Sequence, residues 1–314
     1  MSLGASEEAS LPLLRRLWIY QAERFPLLKT AVLLLVFTAA SISVSAHLGG
    51  RVLPGVANFA VAFVVTLVIF FQLRACDEVK DAEDDQRYRP ERAVSRGLVS
   101  LRLVVGLGAA GVPLAMLAAA MLSPALLWPL VLVWLWLALM SAEFFVPEWL
   151  KARPFLYLIS HMAIMPLIDL FVTACEWLPR AGFPPPGLWL FLALSFVNGC
   201  VLEIGRKLYA PESEREGVET YSSLLGPRLA ALAWGGCAGF AFLLLLGVGS
   251  AVGALRPVAW IGALALVATL VCAARYARKP TAGSQKMVDA MAGLWVLICY
   301  GAAGFAPLLA GSGA

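Results

Sequence analysis

Charge is scarce in this chain. Only 14% of its 314 residues are charged, 61% are hydrophobic, and the mean hydropathy is +0.83. That charged share is well below that of a soluble domain, so a freely soluble fold is excluded and a polytopic membrane protein is expected. The net charge of +4 is confined to loops between apolar runs, and no nucleic-acid partner is expected from it. Histidine is rarer still. With only His47 and His161 present, a multi-histidine metal centre is excluded. The six cysteines, Cys76, Cys175, Cys200, Cys237, Cys272 and Cys299, are scattered and form no CxxC or Cys/His cluster, which excludes a disulfide framework and a structural zinc site. Met1 to Arg16 mixes both charges and lacks the short apolar core of a secretory signal, so no cleavable leader is expected.

Long apolar runs are what the chain has instead. Nine can be drawn near membrane-crossing length, at 27–48, 55–75, 101–121, 124–142, 155–175, 187–206, 228–249, 256–274 and 286–309. Pro54-Gly55, Ser123-Pro124 and the GFPPPG turn of Gly182–Gly187 punctuate them. The expected fold is all-α, a nine-helix membrane bundle over 27–309, preceded by a cytoplasmic segment 1–26 and followed by a short tail 310–314. Basic residues test this count. All but three of the 24 fall in alternate loops, and only Arg51, Arg180 and Arg256 fall on the other face. The asymmetry predicts a cytoplasmic N-terminus, a C-terminus outside, and both acidic loops inside.

The first acidic loop, Asp77 to Ser100, reads DEVKDAEDDQRYRPERAVSRGLVS. Asp77, Asp81 and Asp85 are spaced i, i+4, i+8, which stacks three carboxylates on one face if the helix continues past the span. Like charges so placed repel unless a cation sits among them. An all-oxygen donor set favours Mg²⁺, which takes one or two carboxylates together with substrate phosphate oxygens. Arg87, Arg89, Arg92 and Arg96 follow and suit phosphate recognition. The pattern predicts a magnesium–diphosphate site for a lipid-like substrate. The competing reading is a solvated, salt-bridged loop that obeys the positive-inside rule. The second loop, Asn198 to Gly226, carries Glu203, Arg206, Lys207, Glu212, Glu214, Glu216 and Glu219. Carboxylates on two loops at one face can share a bound metal–diphosphate. Lys207 follows Glu203 by four residues, so the two pair on a continuing helix.

Asn58, Asp169, Asn198 and Asp289 lie inside apolar runs. Intramembrane ionisable groups face a cavity or a partner. Asp169, in SHMAIMPLIDLF, reads either as a cavity acid or base or as a buried helix–helix hydrogen bond. His161 reads as a packing residue. Trp134, Trp136, Trp149 and Trp177 read as an interface belt.

With these residues in place the chain resembles the UbiA superfamily of intramembrane prenyltransferases. The stretch Asp77–Asp85 resembles that family's NDxxDxxxD motif, with Cys76 in the asparagine's place. Arg92-Ala93-Val94-Ser95-Arg96-Gly97 is a loose match to its RPxxSG-like segment, and Arg24-Phe25-Pro26 to its Arg-Pro feature before helix one. Lys151 falls where the family often has a diphosphate-binding lysine. The second motif departs: Gly217-Val218-Glu219-Thr220 matches a GVKS-like anchor, Glu212 replaces one aspartate, and Tyr209 and Lys207 stand in the same stretch.

The resemblance implies an isoprenyl diphosphate donor, Mg²⁺ as cofactor, membrane lipids as surroundings and a lipophilic or aromatic acceptor. It implies Asp77, Asp81, Asp85 and Lys151 as catalytic residues, to which the reading of Asp169 as a cavity acid or base adds a fifth. Arg24, Arg92, Glu203, Lys207, Glu212 and Glu216 would bind substrate, and Asp77, Asp81, Asp85 and Glu212 would hold metal. Two alternatives stay open: a terpene cyclase that uses no separate acceptor, and a non-enzymatic transporter or lipid-binding scaffold.

Overall fold

A computed structural model describes residues 11–310 except residue 216, with residue 310 as backbone only. Among the described residues every regular element is helical, and nine helices are long and apolar enough to cross a membrane. They are Leu27–Leu48, Val56–Lys80, Leu101–Leu122, Pro124–Ser141, Pro154–Trp177, Leu188–Arg206, Pro227–Ala251, Leu255–Arg278 and Ala282–Leu309, called spans one to nine. Their lengths follow from the rise of 1.5 Å per residue against a hydrocarbon core of about 30 Å.

Each span packs against its neighbour in sequence, and span nine returns to span one. Spans five and six also reach across, to span one and span nine respectively. Span six is accordingly the most buried, 61% of its apolar window against 22% for span three, which faces outward. Lipid is as apolar as leucine, so close packing holds such helices together. The contact of spans one and nine shows how. A Cβ on Gly304 would lie 2.6 Å from the Ala40 Cα, an approach that only glycine permits.

Three helix boundaries differ from the expected ones, and each difference bears on function. Span two runs on to Lys80, so Asp77 and Glu78 stand on helix. Span five breaks at Ala163 into Pro154–Met162 and Ile164–Trp177. Pro166 has no N–H to offer the Met162 carbonyl, which explains the break. Span nine begins at Ala282, four residues before the expected 286.

The ends of the bundle alternate as nine antiparallel spans require. At one end, the loop after span two meets the loops after spans four and six: Lys80 pairs with Glu143, and Arg215 with Glu91. The loop after span six meets the start of span nine, where the Ala282 N–H donates to Glu212. At the other end, Arg51 and Arg180 close on Glu176. An amphipathic helix, Leu13–Arg24, lies against the first acidic loop. Its Arg16 donates to the Leu98 carbonyl and its Glu23 accepts two bonds from Arg96. Tyr20 packs with Ala75, Ala93, Leu98, Val99 and Val104 in a small satellite core.

Candidate functional site

The first acidic loop is nearly continuous helix, with one interruption. Span two ends at Lys80, Asp81 takes φ −89° and ψ 2°, and a short helix runs from Ala82 to Tyr88. Backbone bonds Asp81 N–Asp77 O and Asp85 N–Asp81 O, at 2.9 and 2.7 Å, carry the helical path across that point. The three aspartates nevertheless do not share one environment. Asp77 has a half-exposed side chain, and Arg74 is 3.7 Å away. Asp81 is partly exposed and makes no ion pair among the described residues. Asp85 is 3% exposed and turned inward, where Arg92 donates at 2.5 Å and Arg89 lies at 3.3 Å. Two guanidinium groups neutralise Asp85 before any metal arrives. Among the described residues no three carboxylate, histidine or cysteine side chains converge on a metal position.

Arg24 is also occupied, for its Nε donates to the buried Glu78 at 2.5 Å. It ties the N-terminal helix to the end of span two. Arg92 and Arg24 therefore support the loop's shape in this state of the molecule. The hydroxyl of Tyr20, beside them, has its pKa pushed up to about 12, chiefly by burial and then by the charge of Glu78.

The second acidic loop lies over the first. Gly217, at φ +76°, leaves room for the Tyr88 ring, because a Cβ there would meet that ring at 2.5 Å. Arg215 reaches Glu91 at 3.4 Å. Within the second loop, Glu214 accepts from the hydroxyls of Thr220 and Ser222 at 2.8 Å and fixes the turn before the short helix Tyr221–Leu225. Glu203 and Lys207 form the expected i,i+4 pair at 2.9 Å, with side chains 24% and 41% exposed. Asp77 and Asp81 stand at the end of span two, and Glu203 and Lys207 stand at the end of span six. The structure thus puts Asp77, Asp81, Glu203 and Lys207 at the same end of the bundle.

Of the remaining expected residues, two are exposed, one is buried and one lies outside the described residues. Lys151 ends the short helix Pro147–Lys151 and is exposed. Glu212 is exposed and caps span nine through the Ala282 N–H at 2.7 Å. Glu216 lies outside the described residues. Asp169 is fully buried, with one oxygen taking the Ser41 hydroxyl at 2.7 Å and the other the Tyr300 hydroxyl at 2.5 Å. Tyr300 also meets Ser195 at 3.1 Å, so Asp169 joins spans one, five, six and nine. Both its oxygens are satisfied, as a polar tie between helices requires.

Sequence reasoning passed over four residues that the structure makes prominent. Glu78 is buried against Arg24, and Glu176 is fully buried among Arg51, Arg180 and Ser45. Glu143 is 7% exposed and pairs with Lys80 at 2.6 Å. Tyr157 bonds both Lys80 and Glu143 and stacks on His161 with ring centroids 3.9 Å apart. Glu176 carried a usable signal: a carboxylate near the end of a span, with Arg51 and Arg180 in loops expected at the same end. Glu143, a single acid between spans, carried none.

Two of the solved structures that share this architecture show how far the likeness extends. One is the apo structure of a UbiA homolog from Aeropyrum pernix K1, with TM-score 0.66 and 18% identity, covering 86% of this chain and 96% of that one. The other is a digeranylgeranylglyceryl phosphate synthase, with TM-score 0.60 and 14% identity, covering 90% of this chain and 99% of the other. No family model matches the sequence, and no curated protein matches it. At these identities the likeness speaks for the fold, and it extends over nearly the whole length of both solved chains. The chain has the UbiA fold.

Proposed function

We propose that the chain is a UbiA-superfamily intramembrane prenyltransferase that takes an isoprenyl diphosphate and a lipophilic or aromatic acceptor. The observation that carries this reading is the meeting of two acidic loops at one end of a UbiA-fold bundle, with Tyr88 seated on Gly217 and Arg215 reaching Glu91. The orientation read from the basic residues puts that end, and the N-terminus, in the cytoplasm.

Asp77 and Asp81 fit a magnesium ion that draws its other ligands from diphosphate and water. Their carboxylates are open and free of strong pairing, whereas Asp85 is held by two arginines. Bound there, Mg²⁺ would offset the charge that grows on the diphosphate as it leaves. The chain's own residues do the rest. Lys207 turns its ammonium from Glu203 toward the diphosphate, and Lys151 adds a second cation from the neighbouring loop. Both act where charge develops, in a site walled by helices. The allylic C–O bond breaks and the diphosphate leaves with the electron pair. The acceptor bonds to the allylic carbon and releases a proton.

Lys207→Ala is expected to lower kcat by about tenfold, the effect of about 1.4 kcal/mol of lost transition-state stabilisation. Lys207→Arg keeps the charge and is expected to recover part of the rate. Steady-state kinetics at saturating Mg²⁺ and prenyl diphosphate check both. Parental turnover in Lys207→Ala would leave the ammonium with Glu203 alone.

The reading is tested by incubating the purified protein with Mg²⁺ and geranyl, farnesyl or geranylgeranyl diphosphate, with and without lipophilic acceptors, and by mass analysis of the products. The expected result is diphosphate release coupled to a prenylated acceptor. A cyclic hydrocarbon or alcohol formed without acceptor would replace transfer by cyclisation. The absence of both binding and turnover would replace it by a scaffold.

A further inference from the structure

Lys80 poses a problem for any metal held by Asp77 and Asp81. It stands three residues after the first and directly before the second, and it lines the same small cavity as Asp77, beside Leu73, Leu137 and Met140. A flexible ammonium so placed would satisfy both carboxylates and compete with a divalent cation. The ammonium makes no ion pair with Asp77 or Asp81 among the described residues and is paired elsewhere. It pairs with Glu143 at 2.6 Å, bonds the Tyr157 hydroxyl, and meets His161 Nε2 at 3.3 Å. It also lies over the Tyr157 ring, 4.7 Å from the centroid.

Glu143 is held there at a cost. Three successive non-glycine residues, Glu143, Phe144 and Phe145, take φ of 49°, 53° and 62°. Left-handed backbone is costly for any residue other than glycine. Such a turn persists only where its surroundings dictate it. Phe144 is wedged between Trp136 and His161, with ring centroids 5.4 and 6.1 Å away. The result is a buried carboxylate aimed at Lys80, and its Oε2 accepts no hydrogen bond among the described residues.

The geometry points to Glu143 as a positioning residue: the strained turn of residues 143–145 engages the Lys80 ammonium in an ion pair, so that it does not pair with Asp77 and Asp81 and leaves their carboxylates open for a divalent cation. This rests on the metal reading above and adds a residue to it. The pair is neutral as a unit. Its job is therefore to place a charge, and removing both members together restores the site.

The test uses the full chain in detergent, with Mn²⁺ as the probe, inorganic diphosphate present, and free Mn²⁺ read by electron paramagnetic resonance. Glu143→Gln keeps the shape and removes the charge that holds Lys80. It is expected to weaken Mn²⁺ binding by about tenfold, the worth of one charge-assisted hydrogen bond. Tyr157→Phe, which removes a second partner of the ammonium and one bond to Glu143 but keeps the Glu143 charge, is expected to weaken it by about threefold. Adding Lys80→Met to Glu143→Gln is expected to restore binding to near the parental value. A Glu143 needed only to shape the loop would show no such rescue. Parental binding in Glu143→Gln and Tyr157→Phe, or a double variant as weak as Glu143→Gln, would overturn the inference and leave the metal reading standing. A parent chain that takes up no Mn²⁺ would overturn both.

Discussion

Asp81→Ala is expected to lower kcat on the order of 10²-fold or more, the usual scale for losing one preorganised group that stabilises developing charge. The same substitution is expected to leave the fold intact. Asp81 stands at the junction of span two and the short helix that follows it, partly exposed and without an ion pair among the described residues. Its backbone bonds to Asp77 and Asp85 do not involve the side chain and survive in alanine. Asp85→Ala is the contrasting control. It removes a buried carboxylate and strands Arg92 and Arg89, so its first effect is on stability. Thermal unfolding and single-turnover rates, measured on both variants at saturating Mg²⁺, separate the two cases. Asp81→Ala turnover within a few-fold of the parent would remove Asp81 from the site.

The largest effect on stability is expected at the opposite end of the bundle. Glu176 is fully buried, and Arg51 holds it with bonds of 2.8 and 2.7 Å. Ser45 donates at 2.7 Å and Arg180 at 3.0 Å. The Glu176 carboxylate holds the Arg51 guanidinium above its ordinary pKa, first through their hydrogen bonds. Arg51→Met removes the bidentate partner and leaves a buried charge short of compensation. The expected loss is about 3–5 kcal/mol, as for other buried pairs broken from one side. Adding Glu176→Leu removes the stranded charge, and the double variant is expected to regain most of that loss. Thermal unfolding in detergent checks both, and an Arg51→Met melt within about 1 °C of the parent would contradict the account. The surviving folded fraction is expected to keep the parental kcat, because the acidic loops lie at the other end.

The fold was legible because the bilayer imposes its own lengths and charge rules. Pro54-Gly55, Ser123-Pro124 and GFPPPG mark boundaries that the helices respect. The interruption of span five was not anticipated, although Pro166 sits where it causes the break. At the site, the i, i+4, i+8 spacing of Asp77, Asp81 and Asp85 said that the carboxylates share a face of a helix. It could not say that Arg89 and Arg92 would claim the third, since that depends on how residues 89–97 fold back. Helical spacing did anticipate the Glu203–Lys207 pair, which is local. Glu143 and Lys80 are 63 positions apart in the sequence, and the backbone strain that joins them leaves no mark in a string that reads SAEFFV. Local chemistry was readable, and pairings between loops were not.

The central claim is that the two acidic loops form one magnesium-dependent diphosphate site. The most direct measurement is equilibrium binding of a non-reactive prenyl thiolodiphosphate to the full chain, with Mg²⁺ present and with Mg²⁺ removed by chelation. The account predicts saturable binding that needs Mg²⁺, is lost in Asp81→Ala, and weakens in Lys207→Ala. Binding of equal strength with and without Mg²⁺, or unchanged in Asp81→Ala, would contradict it.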